Sequence, residues 1–220
     1  MDTYPIGLIG LENRRVVVIG GGSVAARKVS GLLDAGARVE VISPYICEKI
    51  RTLAGSGSVL MIERAYQPGD LTGAFLAIAA TDDPAANHAV WEEANIANCQ
   101  INVVDDPKHS TFILPAVIRR GDVTISISTG GASPALARRL REKLEPAIVP
   151  EYAELAQILA ELRPDLIKEF PSEQERLSVV SRIIDSDLLR MIGQEGSASA
   201  REYARKLISD RNDSIVEDRT

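Results

Sequence analysis

Three glycines carry the clearest chemistry in this chain. Val16 to Ile19 is a short, unbroken run of branched apolar residues that leads into Gly20, Gly21 and Gly22, and a helix-compatible stretch opens at Ser23 and Val24. The spacing Gly20-x-Gly22-x-x-Ala25 is the dinucleotide fingerprint in its Ala-ending form. Gly20 permits the tight turn, Gly22 lets a pyrophosphate approach the backbone, and Ala25 lets the helix pack close to the strand. The helix start then offers free N–H groups and a partial positive charge to the phosphates. A glycine-rich turn with no ligand would need the same residues, but a strand before it and a helix after it favour nucleotide binding, with Gly20, Gly22, Ser23 and Val24 lining the turn.

Ligands of open α/β sheets gather outside the carboxyl ends of the strands. Three further strand ends are therefore candidates: Ser43-Pro44-Tyr45, Thr81-Asp82-Asp83 and Asp105-Asp106-Pro107. Pro44 and Tyr45 are expected near an adenosine ribose, and Thr81 and Asp82 near a nicotinamide. Neither the acid that would hold a ribose hydroxyl nor the arginine that would hold a 2′-phosphate stands at Ser43 to Tyr45, so charge there does not choose between NAD and NADP. Asp105 and Asp106 could supply a carboxylate base, or form only an Asp-Pro turn. A second glycine turn, Thr129-Gly130-Gly131-Ala132-Ser133-Pro134, precedes another helix. Ser133 suits its N-cap and Pro134 its first turn, so the stretch reads equally as an anion site and as a plain cap.

The background composition narrows the class. The chain has 220 residues, 45% of them hydrophobic, with a net charge of −6. No apolar run approaches the ~20 residues of a membrane span. The first residues lack a basic region and a sustained apolar stretch, so no signal peptide is expected and a cytoplasmic location is the default. The acidic balance argues against nucleic acid as a partner. Cys47 and Cys99 form no paired motif, and with only His88 and His109 besides, no metal set is assigned. His88 reads as a helix-surface residue; His109, just after Asp105, is the better ligand candidate of the two. Residues 112–145 carry six basic residues, including Arg119 and Arg120, against three acidic ones, a net +3 that would suit an anionic ligand.

The elements that must position these groups alternate. Strands are expected at 16–19, 38–42, 59–62, 74–80 and 101–104, with helices at 24–35, from Pro44 to Leu53 and from Pro84 to about Ala97, the last capped by Asp82 or Asp83. Gly36 should end the first helix. Together these predict a doubly wound parallel, Rossmann-type sheet over residues 1–112. From Phe112 the rhythm changes to two strands, 112–118 and 123–128, with Pro115 marking an edge or bulge. A helix then runs to Leu144. Helices at 152–162, 173–184 and 200–207, with breaks at Pro164, Pro171 and the 193–196 segment, predict a helical region over 150–220 ending in a frayed tail, DRNDSIVEDRT.

Three stretches carry a resemblance: GGGSVAARK, LAIAATDDPAAN and NVVDDPKHSTFILPAVIRRGDVTISISTGGASPALARRLREKLE. In this order and spacing they resemble the siroheme synthase family, in its precorrin-2 dehydrogenase and sirohydrochlorin ferrochelatase module, over roughly residues 5–170. The methyltransferase domain fused to this module in some members is expected to be absent. The resemblance implies a dimerisation region over about 113–149 and a homodimer. It also implies NAD-dependent oxidation of precorrin-2 to sirohydrochlorin and, in bifunctional members, insertion of Fe(II) as substrate. It casts Asp105 as the catalytic carboxylate, with burial or Asp106 expected to raise its pKa. The tetrapyrrole's carboxylates would give Arg119, Arg120, Thr129, Gly130, Gly131 and Ser133 a substrate-binding purpose, and Thr129 aligns with a residue that is a phosphorylatable serine in some relatives. Two alternatives stand beside this. An NAD-linked dehydrogenase on another substrate would need a dyad such as Tyr-x-x-x-Lys, and the one such spacing, Tyr45 to Lys49, sits in the wrong place. A non-enzymatic dinucleotide-sensing dimer would bind NAD and consume none.

Overall fold

The computed structural model describes residues 3–217, with side chains as far as residue 209. It forms two compact units, one ending at Leu114 and one beginning at Pro115.

The first unit is a parallel sheet of β1 (Arg15–Ile19), β2 (Arg38–Ile42), β3 (Val59–Ile62), β4 (Leu76–Ala79) and β5 (Gln100–Val103), in the order β3-β2-β1-β4-β5. Both faces are covered, which is why its central strands read as unbroken apolar runs rather than alternating ones. Val16 and Val18 pack on one face with Ala25, Ala26 and Val29 of helix α1 (Ser23–Asp34) and Ile50 of α2 (Glu48–Gly55). Val17 and Ile19 pack on the other with Val90 and Ala94 of α3 (Pro84–Ile96). Gly36 ends α1 with φ +77, as expected of a C-terminal glycine. The chain leaves β1 toward β2 on one side and returns to β4 on the other, so the switch in strand order lies between β1 and β4. Registers of Ile19 with Ile42 and Ala79, and of Ala79 with Val103, bring the candidate strand ends out level.

Three expectations for this unit need correcting. Helix α2 starts at Glu48, not Pro44, because the Tyr45 N–H bonds Ser43 Oγ at 3.3 Å and the Cys47 N–H bonds Gly21 O at 2.8 Å, fixing 44–47 as a turn. The strands expected at 74–80 and 101–104 are shorter, four residues each. The crossover from β3 to β4 carries no helix; it is a turn-rich segment held by Arg64 on Asp70 (2.7 and 2.8 Å) and by Glu93, which accepts from the Leu71 and Gly69 N–H groups and the Tyr66 hydroxyl. The strand expected from Phe112 begins only at Ala116. Phe112 is instead tied back to β5, its carbonyl accepting from Asn102 Nδ2 at 3.0 Å.

The second unit opens with an antiparallel hairpin, β6 (Ala116–Arg120) and β7 (Val123–Ile127). Arg120 pairs with Val123, so the turn is the two residues Gly121 and Asp122, with Gly121 at φ +55 as such a turn demands. Arg119 and Arg120, expected in the turn, lie in β6, and Pro115 precedes the strand rather than kinking it. Helix α4 (Pro134–Leu144) follows, then α5 (Glu151–Glu169), α6 (Glu173–Ile184), α7 (Leu188–Glu195) and α8 (Ser197–Glu217). Pro164 does not break α5: Leu155, Ile158, Leu162 and Leu166 hold one buried face across it, and that burial offsets the ~3 kcal/mol an internal proline costs. Helix α7 was not foreseen. The tail expected to fray continues α8 to Glu217, and residues 218–220 lie outside the described residues.

Candidate active site

The three glycines divide their work differently from the simple fingerprint. Gly20 has φ +118, and a Cβ there would lie 2.2 Å from the Ala80 carbonyl oxygen. A Cβ on Gly21 would lie 1.9 Å from the Tyr45 carbonyl oxygen. These two let the backbones after β4 and β2 close in on the turn. Gly22 is extended (φ −81, ψ −172), and a Cβ on it would meet nothing within 4 Å. It is also the N-cap of α1, supplies no side-chain cap, and is followed by a first turn without acidic residues. Open space thus stands over an uncapped twelve-residue helix, which fits a pyrophosphate. Ala25 is fully buried against the sheet.

At the end of β2, Ser43 is buried, its hydroxyl taken up by the Tyr45 N–H, while Pro44 and Tyr45 are exposed. The acid of β2, Glu40, cannot serve a ribose from there: it is buried and holds Arg15 in a bidentate pair at 2.9 and 2.7 Å. At the end of β4, Asp83 rather than Asp82 caps α3, accepting from the Ala85 N–H at 2.9 Å and the Ala86 N–H at 3.3 Å. The Thr81 hydroxyl accepts the Asp83 N–H at 3.1 Å and lies 3.0 Å from Asn87 Oδ1. Asp82 is exposed beside them.

After β5, Asp105 takes a left-handed backbone, φ +60, which costs a non-glycine residue about 1–2 kcal/mol. It is exposed rather than buried, so the burial expected to tune it is not there. Asp106 does not act on it as a free like charge either. Its Oδ1 accepts the Lys108 and His109 N–H groups at 3.2 and 3.3 Å, and its Oδ2 lies 2.6 Å from His109 Nδ1. That bond to His109 holds the Asp106 carboxyl below the usual carboxylate range. Residues 107–109 form a single 3-10 turn under this cap. Val104 and Phe112, on either side of the loop, pack into the core that α1 covers. Lys28 of α1 is half-buried; burial, then Arg27, lowers its pKa, and Asp105 opposes that shift. Lys28 is therefore a cation within electrostatic reach of Asp105, a residue to which the sequence analysis gave no role. Its place just past the glycine turn was the available signal.

His88 and His109 come together, with ring centres 5.7 Å apart, and both flank Trp91, at 5.3 and 4.6 Å. Among the described residues no set of three or more His, Cys, Asp or Glu could hold a metal.

In the second unit, Arg120 is committed to the fold: its Nε donates to Ile148 O at 2.9 Å. Arg119 is exposed. Thr129 Oγ1 accepts the Ser133 N–H at 3.0 Å, and Ser133 Oγ accepts the Leu136 N–H at 3.2 Å, so the second glycine turn caps its own helix. Gly130 and Gly131 have φ +60 and +83.

Residues 8–116 match the family model for NAD(P)-binding domains, and residues 120–146 that of the sirohaem biosynthesis protein central region. The chain is 40% identical over 215 residues to siroheme synthase 3 of Aeromonas hydrophila, covering 97% of this chain and 46% of that one. Siroheme synthase 1 of Aeromonas salmonicida is 40% identical over 211 residues, with 96% and 45% covered. Over nearly its whole length this chain is similar to siroheme synthases. It spans about half the length of the curated siroheme synthases it matches. The solved structure of SirC, precorrin-2 dehydrogenase, superposes with a TM-score of 0.71 at 25% identity, over 93% of this chain and all of that one. The first unit is the part that matches NAD(P)-binding domains, and the space at Gly22 is large enough to take a phosphate group there. No helix among the described residues is long and apolar enough to cross a membrane.

Proposed function

We propose that this chain belongs to the siroheme synthase family and oxidises precorrin-2 to sirohydrochlorin with NAD in the cytoplasm. The observation that carries the reading is the pairing, in one sheet, of an open pyrophosphate turn at Gly22 with an exposed, left-handed Asp105 at the end of β5. The likeness to SirC along its whole length supports the same reaction. When bound, the nicotinamide supplies the hydride acceptor. Oxidation removes a hydride and a proton from the substrate, and Asp105 takes the proton. An exposed carboxylate can receive it and release it to solvent. Gly20, Gly22, Ser23 and Val24 hold the pyrophosphate, Pro44 and Tyr45 flank the adenosine, and Thr81 and Asp82 flank the nicotinamide. Neither an acid nor an arginine stands at Ser43 to Tyr45, so NADP is the alternative cofactor and the incubation below decides between the two.

The substrate is a polycarboxylate, and the exposed Arg119, Arg138 and Arg139, with Thr129, Gly130, Gly131 and Ser133, are the groups proposed to receive it. Leu136, Leu140 and Leu144 leave an apolar stripe exposed along α4, which a second copy covers in the proposed homodimer. Insertion of Fe(II) into sirohydrochlorin also needs pyrrole protons removed, and Asp105 serves that step as well.

The test is anaerobic incubation of precorrin-2 with NAD or NADP, followed by Fe(II), monitored by absorbance, for the native chain and Asp105→Ala. Asp105→Ala is expected to keep NAD affinity and lose turnover. Unchanged sirohydrochlorin formation by that variant would sink the assignment. Binding of NAD with no reduction by the native chain would make it a sensor.

A further inference from the structure

We propose that His109, acting through Asp106, is a positioning residue that holds the Asp105 loop in its productive shape against α3. This rests on the reading of Asp105 as the proton acceptor. A left-handed aspartate persists only where its surroundings over-determine it, and here both flanks of Asp105 are fastened. On the strand side, Ser110 Oγ accepts the Val103 N–H at 2.9 Å and donates to Asp106 O at 2.8 Å, and Thr111 Oγ1 accepts the Ile101 N–H at 2.8 Å. On the other side, Asp106 caps the 3-10 turn and closes on His109 Nδ1 at 2.6 Å. The His109 ring then meets the Trp91 indole edge-on at 4.6 Å and His88 at 5.7 Å. Both partners belong to α3, which is seated in the core through Val90, Ala94 and Trp91. His109 therefore links the loop that carries Asp105 to the rigid helix beside β5. The charged and titratable groups around it are Asp106 and Lys108 on its own turn, and His88 with Glu92, 3.5 Å apart, on α3.

Trp91 is the sole tryptophan of the chain, so its emission reports this contact directly. His109→Leu should change that emission, and Asp106→Ala should change it too, because the ring loses the partner that holds it against the indole. In precorrin-2 turnover at saturating NAD, His109→Leu and Asp106→Ala should lower kcat about tenfold, the population ratio that the strain of one left-handed residue corresponds to. NAD affinity should not change. His109→Asn keeps an amide donor where Nδ1 stood but not the ring against Trp91, and should recover part of the loss. Circular dichroism separates these effects from misfolding.

Native kcat in His109→Leu, or a His109→Asn variant as slow as His109→Leu, would overturn the positioning role. Trp91 emission unchanged in Asp106→Ala would overturn the Asp106–His109 link on which the role depends. Failure of the native protein to oxidise precorrin-2 would overturn the reading of Asp105 and this role with it, while the emission arm still judges the Asp106–His109 bond separately.

Discussion

Alanine at Gly21 and alanine at Gly22 should do opposite things, although the two residues are neighbours in one motif. A Cβ at Gly21 would sit 1.9 Å from the Tyr45 carbonyl oxygen and 3.0 Å from Ile46 Cα, both backbone atoms, so the loop after β2 must move. A displacement of that kind in a packed core costs about 3 kcal/mol. In a unit of roughly a hundred residues this lowers Tm by about 12 °C. Gly22, at φ −81 and ψ −172, accepts a Cβ without strain and without a neighbour inside 4 Å. Gly22→Ala should leave Tm unchanged or raise it slightly, because the unfolded chain loses freedom. The same methyl group then occupies the space left for the pyrophosphate. Overpacking of about 1–3 kcal/mol corresponds to a Kd for NAD roughly tenfold to hundredfold weaker. Thermal unfolding and calorimetric titration with NAD, on both variants, separate the two effects. Native NAD affinity in Gly22→Ala, or a loss of stability equal to that of Gly21→Ala, would refute the division of labour among the glycines.

The remaining predictions concern other parts of the chain. Arg120→Ala should destabilise the second unit by about 1.5–3 kcal/mol through loss of its bond to Ile148 O, whereas Arg119→Ala should leave the melting curve alone and raise KM for the tetrapyrrole. The Arg64 guanidinium, followed by the Gln67 N–H, holds the Asp70 carboxyl below its ordinary range, despite the opposing effect of burial. A pKa depressed by folding contributes stability that is present above the unfolded value of about 3.9 and is lost as pH falls through the folded one. Acid unfolding should accordingly lose part of its steepness below that value in Asp70→Asn. Burial pushes the Cys99 thiol up to about 11, while Cys47 is half-buried, so a thiol reagent should label Cys47 first and Cys99 only on unfolding.

Much of the first unit was legible because its signals are local. The run from Val16 to Ile19, the glycines after it and Pro84 behind an aspartate cap each report a conformation of their own few residues. What the sequence hid depends on partners far along the chain. The purpose of Gly21 is invisible until the backbone at Tyr45 is placed beside it, and the late start of α2 follows from the same contact. Nothing in the sequence around Glu40 points to Arg15; only the pairing of β1 with β2 shows the two held together. Pro164 read as a break because propensity is weighed residue by residue, whereas the buried face of α5 is continuous across it. At the candidate site, Asp105 was singled out through family likeness, but its left-handed backbone and exposure were not readable. The approach of Lys28 and the meeting of His88, Trp91 and His109 join residues from different elements, which no spacing rule connects.

The central claim is that this chain passes a hydride from precorrin-2 to NAD, with Asp105 taking the proton. The most direct measurement is the stoichiometry of NADH formed per sirohydrochlorin formed under anaerobic conditions, followed for the native chain and for Asp105→Asn. The account predicts equal amounts of the two products from the native chain, with NADH production lost in Asp105→Asn although NAD still binds. Sirohydrochlorin formed without NADH, or NADH formed at the native rate by Asp105→Asn, would contradict it.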